Sequence, residues 1–155
     1  MMQWSCKSFD ELTNKELYAI LQLRDEVFVV EQQCIYLDAD GKDLHCHHMM
    51  GWKNDQLVAY TRLVPPGISY KEVSIGRVVS SPSVRGTGIG RELMQRSIGN
   101  AWEIYGMQDI VISAQYYLLE FYRSLGFAEE GDVYPEDEIP HIQMRLKPAA
   151  AEGLS

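Results

Sequence analysis

The sequence predicts a mixed α/β fold: one sheet, with helices crossing over between some of its strands. Three observations carry that reading. Short apolar runs of strand length alternate with stretches of helical period. A glycine-rich turn, Arg85-Gly86-Thr87-Gly88-Ile89-Gly90, joins a strand-like run to a helical one. The 155 residues, 46% of them hydrophobic, are enough to bury one sizeable core.

Taken in order, the first element is a helix. Thr13 and Glu16 form the two ends of a capping box, and Leu17, Ile20, Leu21, Arg24 and Val27-Phe28 follow a 3.6-residue period. Residues 29–47 are irregular and carry Cys34, Asp38, Asp40, Gly41 and Asp43, which reads as a long loop with room for a short helix. Residues 48–52 and 57–64 flank Lys53-Asn54-Asp55-Gln56 and read as a hairpin, ended by Pro65-Pro66-Gly67. A strand follows at 73–79. A helix at 89–105 places Leu93, Ser97, Ala101 and Ile104 on one face, with Gly106 as its C′ residue. Gly99 inside that helix has no explanation in the sequence. The apolar run 110–114 is typical of a central strand, and 118–125 is a short helix stopped by Gly126. Residues 127–134 and 141–146 complete the sheet. The expected domain is 1–147, with a disordered tail over 148–155.

Composition narrows the class of function. No apolar stretch of 18 residues exists, so no membrane-spanning helix is expected. The opening MMQWSCKSFDEL has no basic segment followed by an apolar one, so no secretory signal is read. Cys6, Cys34 and Cys46 are an odd count without framework spacing, which points to reduced thiols and a cytoplasmic protein. A pI near 4.9 argues against nucleic-acid binding and suits a cationic partner such as an amine.

Within this acidic chain, whose net charge is −8, residues 73–100 hold four arginines (Arg77, Arg85, Arg91, Arg96) and one acid, Glu92. Glycines ahead of a helix N-terminus let backbone N–H groups close around an anion, so a phosphate-bearing small ligand is expected here. A P-loop needs a lysine after its glycines, and none occurs between Lys71 and Lys147. A dinucleotide fingerprint fits Gly86-x-Gly88, but Arg91 stands where the third glycine belongs. Arg85-x-x-Gly88-x-Gly90 instead matches R/Q-x-x-G-x-G/A, and Phe121-Tyr122-Arg123-Ser124-Leu125-Gly126-Phe127 matches F-Y-x-x-x-G-F. With these two motifs in this element order, the chain resembles the GCN5-related N-acetyltransferases. LRDEVFVVEQQCIYLDADGKDLHCHH, IGRVV and VYPEDEIPHIQM are similar to the ElaA-like branch of that superfamily, and the likeness runs over roughly residues 3–146.

The resemblance implies a mostly antiparallel twisted sheet flanked by helices, with a splayed central strand pair formed by the strands at Val73 and Ile110. It implies acetyl-CoA as cosubstrate, with the amides of Arg85, Gly86, Thr87, Gly88, Ile89 and Gly90 on the pyrophosphate and Arg85 and Arg91 adding charge. Val78, Val79 and Ser80 would pair with the pantetheine arm and polarise the thioester carbonyl. Gln115 would reach the same arm, although the family commonly has asparagine there, and Leu118 stands where alanine is common. Tyr122 would be the general acid that protonates the departing thiolate; a phenol near its ordinary pKa of about 10 is protonated at neutral pH. The implied reaction is transfer of acetyl to a primary amine in a ternary complex. The alternatives are a non-catalytic coenzyme A sensor and an interaction module.

A base must also accept the ammonium proton, and the candidates are His141 and Glu31. Competing assignments are a capped strand-start histidine after Pro140 and a helix-end salt bridge. No metal is expected: the adjacent His45, Cys46, His47 and His48 cannot converge on one ion, and no C-x-x-C occurs. Asp38-Ala39-Asp40-Gly41 fails as an EF-hand because Met49 holds the twelfth place. A Cys34–His catalytic pair is the remaining alternative in this loop. Asp38, Asp40 and Asp43 read as a solvated acidic loop or as an attractor for a cationic acceptor. Trp4, Trp52 and Trp102 would mark the interface of a homodimer if exposed.

Overall fold

A computed structural model describes residues 1–148. Of the tail expected from residue 148 onward, residues 149–155 lie outside the described residues. The described residues form seven strands: β1 Met2–Ser8, β2 His47–Lys53, β3 Gln56–Val64, β4 Val73–Ser80, β5 Ile110–Gln115, β6 Ala128–Glu136 and β7 Ile139–Leu146. Their order in one sheet is β1-β2-β3-β4-β5-β7-β6, antiparallel throughout except for β4 and β5. Three helices, α1 Asn14–Arg24, α2 Ile89–Tyr105 and α3 Leu119–Ser124, cover it. None of the helices is long and apolar enough to cross a membrane.

The Thr13–Glu16 capping box forms: Glu16 N–H donates to Thr13 Oγ1 at 3.0 Å and Thr13 N–H to Glu16 Oε1 at 2.8 Å. The buried side of α1 is Ile20, Leu23, Arg24 and Val27, so Leu23 takes the core place expected for Leu21. These residues pack on Met50, Leu57, Tyr60 and Val79 on one face of the sheet. The other face carries α2 and α3, where Met94, Ile98, Ala101, Tyr122 and Leu125 meet Val73, Ile75, Ile110, Ile112 and Met144. Gly99 has open space around it and no structural explanation.

One strand was not expected. In β1, Met2, Trp4 and Cys6 alternate with Gln3, Ser5 and Lys7, a period-2 signal hidden by the low strand propensity of Ser and Gln. Trp4 lies so close over Gly51 that a Cβ there would sit 2.6 Å from the indole. Trp4, Trp52 and Trp102 are each half-buried against the cores. The hairpin turn is tighter than expected: Asn54 and Asp55 both adopt positive φ, the two-residue turn whose twist suits a hairpin. Asp137 and Glu138 repeat that device between β6 and β7. Pairing of β6 with β7 is interrupted between Glu130 and Tyr134, where Gly131 has φ +76°.

β4 positions everything that follows. Its pairing with β5 is limited to Val73↔Ile110 and Ser74↔Val111, after which the two strands part. Its pairing with β3 slips by one residue between Tyr60↔Val79 and Arg62↔Gly76. That bulge sits at Arg77, which holds φ +49°. Side chains alternate along a strand, so an unbroken β4 would send Ile75 and Val79 to the same face. Instead Ile75 packs under α2 and Val79 under α1, while Val78 takes the α2 side.

Candidate active site

The parting of β4 and β5 opens a cleft of ≈ 540 Å³. Gly76 to Ser80 of β4 form one wall and Ile112, Ser113 and Gln115 of β5 the other. Val27, Phe28 and Gln32 close it from the α1 side, where the helix widens into a π-wound turn, Asp25–Glu31. Arg85 and Gly90 stand at one end; Glu136, Asp137 and His141 stand among the remaining lining residues.

The glycine turn has a backbone that only glycine adopts freely. Gly86 and Gly88 hold φ of +81° and +83°, which a side chain would strain. Gly88 caps α2, so the first N–H groups of that helix are free of intrahelical partners. Thr87 does not point at an anion: its hydroxyl donates to the Val84 carbonyl and pins the turn. The arginines are also engaged. Arg85 donates to both carboxylate oxygens of Glu31, at 2.7 Å for one, and to the Ser80 carbonyl at 3.2 Å. Arg91 donates to Ser124 Oγ at 2.9 Å and so ties the turn of α2 to α3.

Tyr122 lines the cleft from α3 and is 4% exposed. Phe121 and Phe127 meet its ring edge-on, at centroid distances of 5.2 and 5.9 Å. Burial, with a smaller contribution from Tyr117, pushes its phenol well above the ordinary value. Gln115, at the end of β5, exchanges long amide contacts of 3.4 and 3.5 Å with Gln32 across the cleft. Leu118 joins the lining as a bulkier residue than alanine.

The two base candidates separate. Glu31 is half exposed outside the lining, and the Arg85 hydrogen bonds hold its carboxyl below the usual carboxylate range. His141 is buried in the lining, stacked on Tyr134. Its Nδ1 lies 2.7 Å from the Ile139 carbonyl, to which it must donate, and its Nε2 lies 3.4 Å from Glu136 Oε2. Ser113 Oγ bonds Tyr134 and donates to Glu136 Oε1 at 3.2 Å. Glu136, Ser113, Gln32, Tyr36 and Arg77 were not singled out as site residues by sequence. Only position relative to the β6–β7 turn or the bulge marks them.

The cysteine-histidine-aspartate loop corrects both readings of its acids. Asp38 and Asp43 are buried, Asp40 stays partly exposed, and all three are held by arginines. Arg24, fully buried, donates to Asp38 at 2.8 Å and Asp43 at 2.7 Å; Arg62 donates to Asp40 at 2.8 Å and Asp43 at 3.1 Å. Burial opposes ionisation of Asp40, but the Arg62 hydrogen bond and charge outweigh it and hold its carboxyl at about 2. Cys34 is not paired with a histidine: its thiol donates to the Asp137 carbonyl at 3.1 Å. His48 lies between the Tyr60 hydroxyl, at 2.6 Å, and the Asp43 carbonyl, at 3.0 Å, and His47 bonds Tyr105.

Residues 14–148 match the acetyltransferase (GNAT) domain family. An acyl-CoA N-acyltransferase from Pseudomonas aeruginosa superposes with a TM-score of 0.90 at 48% identity, covering 94% of this chain and 99% of that one. ElaA of Escherichia coli gives 0.90 at 42%, covering 95% of this chain and all of its own. An aminoglycoside 6′-N-acetyltransferase complexed with coenzyme A shares the fold alone, with a TM-score of 0.67 at 18% identity over 91% of this chain and 95% of that one.

Proposed function

The chain belongs to the acetyltransferase (GNAT) domain family, and from that membership we propose that it is an acetyl-CoA-dependent N-acetyltransferase acting on a primary amine. The observation that carries the reading is the cleft itself. A parted strand pair, a left-handed glycine turn capping α2, and a buried tyrosine share one slot. At fold level, the aminoglycoside enzyme's complex supports coenzyme A as the occupant.

In this reading the amides from Arg85 to Gly90, with the N-terminus of α2, hold the pyrophosphate. Arg91 flanks them, and Arg85 is available once it releases Glu31. The edge of β4 beyond Ser74, at Val78, Val79 and Ser80, faces the pantetheine arm in place of a neighbouring strand. Gln115 meets the same arm once its contact with Gln32 opens. One β4 amide polarises the thioester carbonyl.

The amine nitrogen attacks that carbonyl carbon, forming the C–N bond as the C–S bond breaks. Tyr122 gives its phenolic proton to the departing thiolate, and His141 Nε2 takes the proton shed by the new ammonium centre. Burial of Tyr122 keeps it protonated until the leaving group needs it. His141 is preferred to Glu31 because it lines the cleft, whereas Glu31 is bound to Arg85 outside it. The three free cysteines fit a reducing cytoplasm. A screen of amine acceptors that counts free coenzyme A thiol tests the reading. Thiol release dependent on an amine is expected, and acetyl-CoA binding without release for any amine class would overturn it.

A further inference from the structure

Arg77 occupies the bulge of β4 at φ +49°, a backbone conformation that side-chain-bearing residues avoid and glycine accepts. Its side chain is held by the loop that precedes β2. Arg77 Nε lies 2.9 Å from Asp38 Oδ1. Its Nη2 donates to the Asp38 carbonyl at 3.1 Å and approaches Asp40 Oδ2 at 3.4 Å. The guanidinium also lies over the Tyr36 ring, 5.5 Å from its centre, and Tyr36 donates to Asp38 Oδ1 at 3.0 Å.

Asp38 and Asp40 are themselves fixed from behind. The buried Arg24 binds Asp38, and Arg62, 4% exposed, forks onto Asp40 through two nitrogens. Arg24 belongs to α1 and Arg62 to β3, so the loop acids are anchored to the rigid scaffold before they reach Arg77. The residues after the bulge are Val78, Val79 and Ser80, the edge facing the cleft. Their alternation is reversed relative to Ile75 only because the extra residue is there.

We propose that Arg77 is a positioning residue, clamped by Asp38 and Asp40 so that the β4 bulge stays wound and turns its amides toward the acyl thioester. The proposal rests on the acyl-transfer reading of the cleft. The loop is then not an acceptor-binding surface but a brace for the backbone that polarises the carbonyl. Losing the clamp leaves a left-handed residue with nothing to hold it, and the bulge relaxes toward ordinary extended geometry.

The test compares Arg77→Ala with Arg77→Gly. Both remove the same ion pairs and leave the same acids behind, but only glycine accepts φ +49° freely. The primary readout is the carbonyl stretch of bound acetyl-CoA labelled with carbon-13 at the thioester carbon, measured by infrared difference spectroscopy. In the wild type it should fall below that of free acetyl-CoA. It should move back toward the free value in Arg77→Ala and return toward the wild-type value in Arg77→Gly. Turnover with the most active amine should be about tenfold lower in the alanine variant, with recovery of most of that loss in the glycine variant. Equal spectra and equal turnover in the two variants, whether both normal or both impaired, would overturn the clamp while leaving the acyl-transfer reading intact. Wild-type protein that fails to bind acetyl-CoA would remove that reading, and the clamp with it.

Discussion

Replacing Tyr122 with phenylalanine separates chemistry from packing in one atom. The ring contacts with Phe121 and Phe127, at 5.2 and 5.9 Å, survive the change because only the hydroxyl is lost. Tyr122 is 4% exposed, and burial rather than any hydrogen bond dominates its raised pKa. Because the ring packing is kept, Tyr122→Phe should leave the melting temperature close to that of the wild type. Acetyl-CoA affinity, measured by isothermal titration, should stay within about twofold, since the ring wall is unchanged. Turnover should fall at least tenfold, about 1.4 kcal/mol of barrier, a threshold set below the roughly hundredfold lower end of what a positioned general acid contributes. The decisive assay is free-thiol release under saturating acetyl-CoA, run beside the titration. Turnover equal to wild type at matched affinity would refute the acid role of Tyr122.

Three further outcomes follow from the same geometry. Glu31→Gln should tighten acetyl-CoA binding by roughly two- to fivefold in titration, because the Arg85 guanidinium no longer spends its charge on an exposed partner; a collapse of turnover would instead make Glu31 the base. Gly88→Ala has open space for its Cβ but must hold φ +83°, so urea unfolding should show a loss of about 1 kcal/mol, accompanied by weaker acetyl-CoA binding. Acid should loosen the arginine–aspartate brace. The carboxyl of Asp40 is lowered from 3.8 to about 2 in the fold, so its contribution is present above the unfolded value and lost as pH falls through about 2. Asp43 is lowered too, so thermal melts between pH 5 and pH 2 should show a steep decline over that window.

The glycine-turn half of the candidate site was legible because its geometry is local. A left-handed turn needs glycine at Gly86 and Gly88, and a helix start needs no distant partner, so one short string carries the whole device. Tyr122 was legible for the same reason, inside a motif closed by Gly126 and Phe127. The opposite half of the cleft was not, because it is assembled from pairings distant in sequence. Glu136 meets His141 across a two-residue turn, and Gln32 meets Gln115 from 83 residues away. Asp38, Asp40 and Asp43 read as solvated because nothing local announces that Arg24, Arg62 and Arg77 converge on them. β1 shows a different failure. Its alternation was present, but Ser and Gln gave it little weight until the register with β2 placed Trp4 over Gly51.

The outermost strand on the β7 side has a bearing on how the sheet resists adding a stray strand in a crowded solution. Along nine residues β6 presents Glu129, Glu130, Asp132 and Glu136, an interruption at Gly131, and Pro135, which has no N–H to offer. A foreign strand arriving there meets repulsion, a broken ladder and a missing donor. A protein whose sheet stands unzipped at its middle thus keeps its margin closed to intruders.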